Sequence, residues 1–354
     1  MGHSSLVVAL LVLSMAGPSF AARIPSWDDL FVRYFPLLSD NFRSALHDNC
    51  TTEYNKFLRG SLPGQEQTSL LVSSALATCI MDSKYVTSAM LANMQSAGVL
   101  LGILPTVLAM LGSNTVEIAL LSLRRPLFAA CLAAASPAAS PVHGSQFYDP
   151  IAALKQRAGH VKIPGFGPMV RSIVVTVEWL LVLAALGNVV ELGMELGVWT
   201  VSSWATKQRY LPLLWTVSVL IVHLAGSASF RLRAHMRQPN GHGPIAFYSR
   251  ITYWLMDEFT PCAEQTPTLV VWKQETILFL LMSWCTTTLT VVHIVYGVLM
   301  LSSLLFISVE DALSVVGRYL ISALICRALL AFELRGMSKS SAVQDSDYSD
   351  ESDT

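Results

Sequence analysis

The residues of this chain that could carry chemistry are polar and ionisable side chains set inside long apolar segments. Ionisable side chains are costly in the hydrocarbon of a bilayer, and they often have a function there. Asn188 and Glu191 are three residues apart and so share one helical face, whereas Glu178 lies on a different face. The full set of candidates is Glu178, Asn188, Glu191, His223, His293, Arg318 and Arg327.

Two interpretations of these side chains stay open. They could line a path for protons or a small solute, or supply acid and base to a reaction inside the bilayer. Alternatively, they could join helices, with Glu191 pairing with Arg318 or Arg327, because a lone buried charge would be neutralised or excluded. We favour this structural interpretation, since no two strong acids share a clear catalytic spacing.

Sequence motifs give no sign of catalysis or cofactor binding. The chain has no P-loop, no H-E-x-x-H, no G-x-S-x-G and no paired C-x-x-C. His235, His242 and Cys262 share a loop, but their spacing matches no zinc pattern. We therefore expect no catalytic residue, no cofactor and no metal ligand.

The composition is that of a membrane protein. Of the 354 residues, 53% are hydrophobic and only 13% are charged, about half the charged share of soluble domains. The net charge of -1 leaves no basic excess for binding nucleic acid. The expected partner is the lipid bilayer, with a small molecule or a protein as a further partner that the sequence does not identify.

The N-terminus has the features of a secretory signal. Residues 1–21 contain a short apolar core followed by small residues, which is typical of a cleaved signal peptide; an uncleaved anchor is the alternative. Residues 22–88 are mixed in composition and predict a small lumenal or extracellular domain. The residues available for its core are Trp27, Phe31, Tyr34 and Phe35.

This N-terminal domain also carries two candidate covalent modifications. Cys50 and Cys79 would lie in an oxidising compartment and are expected to form a disulfide, with two unpaired thiols as the alternative. Asn49 begins an N-x-T sequon, although a cysteine in its middle position could be consumed by the disulfide before a glycan is attached.

Five apolar segments between residues 89 and 334 predict an all-α, polytopic helical membrane protein. The expected transmembrane helices lie near residues 90–112, 172–196, 211–230, 276–300 and 311–334. The segment "SVED" at Ser308 resembles a capping box and predicts the start of the last helix. Residues 335–354 are rich in serine and acidic residues and predict a disordered cytoplasmic tail.

The distribution of Lys and Arg predicts the orientation. With five spans, thirteen basic residues fall on the cytoplasmic side and two fall in the short lumenal loop, as the positive-inside rule requires. The N-terminus is therefore expected in the lumen or outside the cell, and the C-terminus in the cytoplasm, in a secretory-pathway or plasma membrane.

One apolar stretch, residues 115–140, is too short on either side of Arg124 and Arg125 to cross the bilayer. Asn114 and Glu117 predict a helix start, and Pro126 breaks or restarts the helix. We therefore expect an interfacial or re-entrant element on the cytoplasmic side. Arg124 and Arg125 are expected to help set the orientation of the chain in the membrane and to contact lipid headgroups.

Two blocks of sequence resemble those of a large group of uncharacterised multi-pass membrane proteins of filamentous fungi. They are Gly98 to Ser140, beginning "GVLLGILPTVLAMLGSNTVEIALLSLRRP", and His293 to Met337, beginning "HIVYGVLMLSSLLFISVEDALSVVGRYL". The similarity extends from about residue 50 over most of the chain. The resemblance implies no catalytic residues, and it makes a transport or accessory role in secondary metabolism conceivable.

The sequence thus predicts a membrane protein with a non-enzymatic transport, scaffolding or accessory role. The alternative is a membrane-embedded enzyme with acid/base or terpene-cyclase-like chemistry at Glu178 or Glu191. The enzyme would leave at least one of these acids exposed to a pocket, whereas a transporter would line a cavity with Asn188, His223 or His293.

Overall fold

The computed structural model of the chain is built almost entirely from α-helices. It describes residues 30–59, 66–140, 167–237, 256–265, 269–272 and 274–340. In this part of the chain, five helices are long and apolar enough to cross a membrane. The predicted all-α, polytopic fold is therefore confirmed.

The N-terminal segment consists of short helices. A 3-10 turn at Pro36–Leu38 leads into α1 (Ser39–Ser44), and a π-helical turn at Ala45–Asn49 precedes α2 (Thr51–Arg59) and α3 (Glu66–Met81). The disulfide predicted between Cys50 and Cys79 is present and ties the start of α2 to α3. Asn49 is exposed next to this disulfide, so the bond leaves the side chain of the sequon accessible.

Seven further helices follow in the described residues. They are α4 (Ser88–Leu111), α5 (Thr115–Leu121), α6 (Pro126–Ala135), α7 (Pro168–Trp199), α8 (Leu211–Arg233), α9 (Ile277–Ser302) and α10 (Val309–Ser340). The five that could span a membrane are α4, α7, α8, α9 and α10. Because α10 continues to Ser340, the prediction of a disordered tail is wrong for residues 335–340.

Four short strands connect some of these helices. They are β1 (Val201–Ser202), β2 (Ala234–Arg237), β3 (Leu269–Trp272) and β4 (Leu304–Leu305). Strand β1 pairs antiparallel with β4, and β2 pairs antiparallel with β3. Each pair lies at a helix end, and Val201 of β1 is buried in an apolar core cluster against which Leu305 of β4 packs.

The helices divide between two compact units. The first contains the described residues up to Val107, with Gly187–Val217 and Ile294–Ile321. Its core is aromatic: the rings of Phe31, Tyr34 and Phe42 lie 5.0 to 6.3 Å from that of Phe306, mostly edge to face. Phe31, Tyr34 and Phe35 are all buried, so these three predicted core residues of the small N-terminal domain are core residues in the structure.

Close helix packing in the first unit uses glycines, of which Gly297 is an example. A β-carbon placed on Gly297 of α9 would lie 2.3 Å from Trp215 Nε1 and 2.8 Å from Pro105 Cγ. Small residues allow such approaches between membrane helices.

At the start of α10, the Ser308 hydroxyl accepts a hydrogen bond from the Asp311 backbone N–H at 3.1 Å. This cap confirms the predicted helix start.

The second unit contains Leu108–Leu186, Ser218–His293 and the described residues from Ser322 onward. Here the Asn114 side chain caps α5 by accepting a hydrogen bond from the Val116 backbone N–H at 3.1 Å, and Pro126 begins α6. Both features agree with the predicted interruption of residues 115–140.

Several sequence predictions fall outside the described residues. They concern the signal peptide at 1–21, the core candidate Trp27, the tail beyond residue 340, and His242.

Candidate functional site

Residues 115–140 lie against α8, which shows how the chain runs in this segment. Three contacts, in chain order, join Thr115 to Gly226, Ser122 to Arg231, and Ala138 to His223. The segment therefore follows α8 toward Arg231 and then returns to the level of His223. Those two residues are eight positions apart, or about 12 Å along the helix. We call residues 115–140 the hairpin.

The two ends of the hairpin meet each other. Asn114 and Ser140 form an isolated parallel β-bridge. A β-carbon placed on Gly112 would lie 2.1 Å from Ala138 Cβ, so glycine is needed for the backbones to come together. The hairpin thus begins and ends at one place.

Two histidines hold the backbone that follows α6. His293 Nε2 lies 3.4 Å from the Pro137 carbonyl oxygen, and His223 Nε2 lies 3.3 Å from that of Ala138. Because a carbonyl only accepts, Nε2 of each ring carries the proton in both bonds. His293 lies sixteen residues into α9, about 24 Å along it, so this non-helical backbone is well inside the span.

Arg125 lies at the turn of the hairpin and is fully buried. Its Nη1 is 2.8 Å from Glu178 Oε2 and 3.1 Å from Glu333 Oε1, and its Nε donates to the Glu258 carbonyl at 3.0 Å. The guanidinium also lies 4.1 Å from the centre of the Phe128 ring, a cation–π contact. We call Arg125, Glu178, Glu258 and Glu333 the arginine cluster.

The carboxyl groups of the arginine cluster also bind backbone. Glu258 Oε1 accepts from the Phe128 N–H at 2.6 Å, in the first turn of α6, and Glu333 Oε2 accepts from the Cys262 N–H at 3.1 Å. Burial raises the pKa of the Glu258 carboxyl. Burial also raises the pKa of the Cys262 thiol, well above its ordinary value. The cluster therefore fixes the hairpin turn to three separate parts of the chain.

The neighbouring Arg124 is buried as well and lies 3.4 Å from Gln265 Oε1 through its Nη1. Burial lowers its pKa from the ordinary arginine value. The prediction that Arg124 and Arg125 contact lipid headgroups is therefore wrong. Carboxyl and amide groups from distant segments cover both guanidinium groups and replace the headgroups as their partners.

Arg327 and Glu117 form a second ion pair in this unit, between α10 and α5. Glu117 is buried in the first turn of α5. The pair holds the first arm of the hairpin in the way that the arginine cluster holds its turn.

In the first unit, the Arg318 side chain forms hydrogen bonds with the polar residues of α7. It donates to Asn188 at 2.8 Å, to Glu191 at 2.7 Å and to Glu195 at 3.0 Å. The Asn188 amide donates in turn to the Arg318 carbonyl at 3.1 Å. Of the two partners left open for Glu191, the structure selects Arg318. This group is partly exposed, with side-chain exposures of 23% for Arg318 and 25% for Glu191.

The ends of the hairpin also carry buried polar atoms that have no hydrogen-bond partner among the described residues. They are Ser113 Oγ, Thr115 Oγ1, Ser136 Oγ and His223 Nδ1. Leaving a buried polar group unsatisfied costs about 1–3 kcal/mol. We call Gly112–Thr115, Ser136–Ser140 and His223 the junction.

All seven intramembrane candidates have partners in the structure. Glu178 belongs to the arginine cluster, Arg327 pairs with Glu117, and Asn188, Glu191 and Arg318 bind one another. The two histidines, His223 and His293, bind backbone carbonyls. Sequence reasoning missed Glu117, Glu258 and Glu333 as partners. Glu333 lay inside the predicted fifth span, so the rule applied to Glu178 and Glu191 could have found it. Glu117 was interpreted only as part of a helix start, and Glu258 lay in a loop with no pattern.

Within the described ranges, no three His, Cys, Asp or Glu side chains are grouped as metal ligands. No protein-family model, curated protein or solved structure matches the chain. The fold and the site together define a polytopic helical membrane protein whose second unit contains a hairpin held by buried charges.

Proposed function

We propose that this protein transports a small polar solute across the membrane and does so without catalysing a reaction. The proposal rests on the non-helical backbone of residues 136–140, which contacts His223 and His293 inside two spans. At such depth, irregular backbone is tolerated only where it packs within protein or lines a water-filled path. The unpartnered hydroxyls of the junction favour a polar path.

The charged groups fit a supporting role in this proposal. The arginine cluster and the Glu117–Arg327 pair hold the turn and the first arm of the hairpin, and the histidines hold its last residues. A transport element needs this kind of fixed scaffold, because its lining atoms have to stay in place while solute passes.

The enzymatic alternative loses support from the same contacts. It needs Glu178 or Glu191 exposed to a pocket and available for proton transfer. Glu178 is buried against Arg125, and Glu191 is bonded to Arg318. Neither acid is positioned to act on a substrate.

A cysteine-accessibility experiment tests the proposal. In a chain with Cys131 and Cys285 changed to alanine, Ser140→Cys should react with a membrane-impermeant thiol reagent added from one face, since a polar path would bring water to the hairpin. Leu324→Cys is the matched control. Leu324 is exposed on span α10, where lipid would keep its thiol protonated and unreactive. A Ser140→Cys thiol as unreactive as the control would contradict the proposal.

We further propose the orientation given by the basic residues, with the disulfide-containing domain in the lumen or outside the cell and the C-terminus in the cytoplasm. A secretory signal, a glycan on Asn49 and membership of the fungal membrane-protein family belong to the same proposal. The disulfide supports the orientation, because such bonds persist in oxidising compartments.

A further inference from the structure

We propose that the junction binds a small uncharged solute that donates hydrogen bonds, and that this binding selects what the protein transports. The inference rests on the proposed transport function and adds the chemical class of the solute. It follows from the hydrogen-bonding capacity of the junction, from its charge and from the lack of local partners for its hydroxyls.

The hydrogen-bonding capacity of the junction is asymmetric. Because His223 Nε2–H donates to the Ala138 carbonyl, Nδ1 of the neutral ring has a lone pair and accepts. This atom is buried and has no partner in the part of the chain that the structure describes. His223 Nδ1 can only accept, so a hydrogen-bond donor would satisfy it. The hydroxyls of Ser113, Thr115 and Ser136 can both donate and accept.

The hydroxyls at the junction lie at or between helix ends and make no hydrogen bond to the described residues. In the middle of α9, Thr286 and Thr290 each donate to the carbonyl four residues earlier, at 2.8 and 2.9 Å. Thr115 is the first residue of α5, and Ser136 follows the last residue of α6. Thr115 therefore has no helical turn before it, and the backbone leaves the helix at Ser136, where φ is -133° and ψ is 103°. Their hydroxyls have no partner among the described residues and are available to a solute.

The charge of the junction excludes an ion as the preferred occupant. The nearest acid along the chain, Glu117, is already paired with Arg327, and the junction itself contains only neutral groups. An ion at this depth would have no counter-charge, and a bare ion in hydrocarbon is costly. A neutral molecule that donates hydrogen bonds satisfies the buried atoms without that penalty, since buried polar sites hold polar molecules.

The test measures solute flux in vesicles reconstituted with the full chain. Water and glycerol are the neutral probes, followed by light scattering after an osmotic step, and Na⁺ and K⁺ are the charged probes, followed with ion-sensitive dyes. Thr115→Val removes one junction hydroxyl with little change of shape, and Ser136→Ala removes a second. Thr290→Val is the matched control, because Thr290 is as buried as Thr115 and its hydroxyl is bonded within its own helix.

We expect water or glycerol flux above that of protein-free vesicles, and a loss of about tenfold in Thr115→Val and Ser136→Ala, the scale of one hydrogen bond. Thr290→Val should keep the wild-type flux. Two results would overturn this inference while the transport proposal stands. One is flux of Na⁺ or K⁺ without flux of water or glycerol. The other is flux of water or glycerol that both junction variants retain. No flux of any probe would overturn the transport proposal itself. Variants are compared only as monodisperse protein, and Ser136→Ala decides if Thr115→Val does not fold.

Discussion

At the scale of single residues, the notable fact is that a fully buried arginine faces three glutamates. Arg125 has 0% side-chain exposure, and it is bonded to Glu178, ion-paired with Glu333 and bonded to the backbone of Glu258. A buried ion pair adds little net stability when it is complete, but it is costly to break, because the remaining partners stay buried and uncompensated. Arg125 should therefore be among the least replaceable residues of the hairpin.

Replacing Arg125 with glutamine should destabilise the folded protein by about 3–5 kcal/mol, because the change leaves carboxyl groups in a buried site without their cation. The measurement is the midpoint of thermal unfolding of the purified protein in detergent, followed by loss of monodisperse protein.

The matched control for Arg125 is Arg171→Gln. Arg171 is 3.8 Å from Glu264 and its side chain is 47% exposed, so this change should cost less than about 1 kcal/mol. If the two variants unfold at the same temperature, Arg125 does not anchor the hairpin.

At the scale of elements, the hairpin of residues 115–140 is the feature that hydropathy alone describes least well. Its existence followed from length, because neither apolar arm could cross the bilayer, and its break followed from Pro126. Its contacts did not follow, since a pairing such as Arg125 with Glu333 leaves no periodicity in the sequence. The long spans were predictable for the opposite reason: their apolar length is a local property that lipid imposes on each one separately.

Gly112 provides a test of the hairpin as an element. Gly112→Ala should destabilise the protein, because the added methyl group would lie 2.1 Å from Ala138 Cβ and 2.8 Å from the Leu108 carbonyl oxygen. Overpacking of this kind costs about 1–3 kcal/mol, which would appear as a lower midpoint of thermal unfolding.

The control substitution is Gly317→Ala in α10, where a β-carbon meets nothing within 4 Å. Alanine favours a helix over glycine by up to about 1 kcal/mol, so this variant should be as stable as the wild type or more stable. A Gly112→Ala protein that is equally stable would show that the two ends of the hairpin are not in close contact.

At the scale of the whole molecule, the orientation in the membrane decides which groups meet which compartment. The disulfide was predictable because the signal-like N-terminus and two cysteines in a soluble segment pointed to an oxidising compartment. Burial of Arg124 and Arg125 was not, since the positive-inside rule reports where a loop lies and says nothing about what covers its side chains.

Glycosylation tests the orientation directly. In a eukaryotic host, the wild-type chain should carry a glycan that an endoglycosidase removes, and Asn49→Gln should migrate at the deglycosylated position, because sequons are modified only on the lumenal side. Thr51→Ala should behave as Asn49→Gln does, since it destroys the same sequon. A C-terminal tag should be cut by protease added from the cytoplasmic side of sealed microsomes. A tag protected under these conditions would contradict the proposed orientation.

The ion pair between Glu117 and Arg327 has a consequence for how the protein is made. The two residues are 210 positions apart, so the ribosome needs roughly 10–40 s after Glu117 to reach Arg327. During that interval the acid of α5 is without this partner, and an unpaired charge enters lipid at high cost. We therefore expect the first arm of the hairpin to reach its final place only after the last helix has been synthesised. A chain terminated before α10 would leave Glu117 without Arg327 and Arg125 without Glu333, although Arg125 would keep Glu178. Such a chain would present an unpaired charge to the machinery that degrades incompletely assembled membrane proteins.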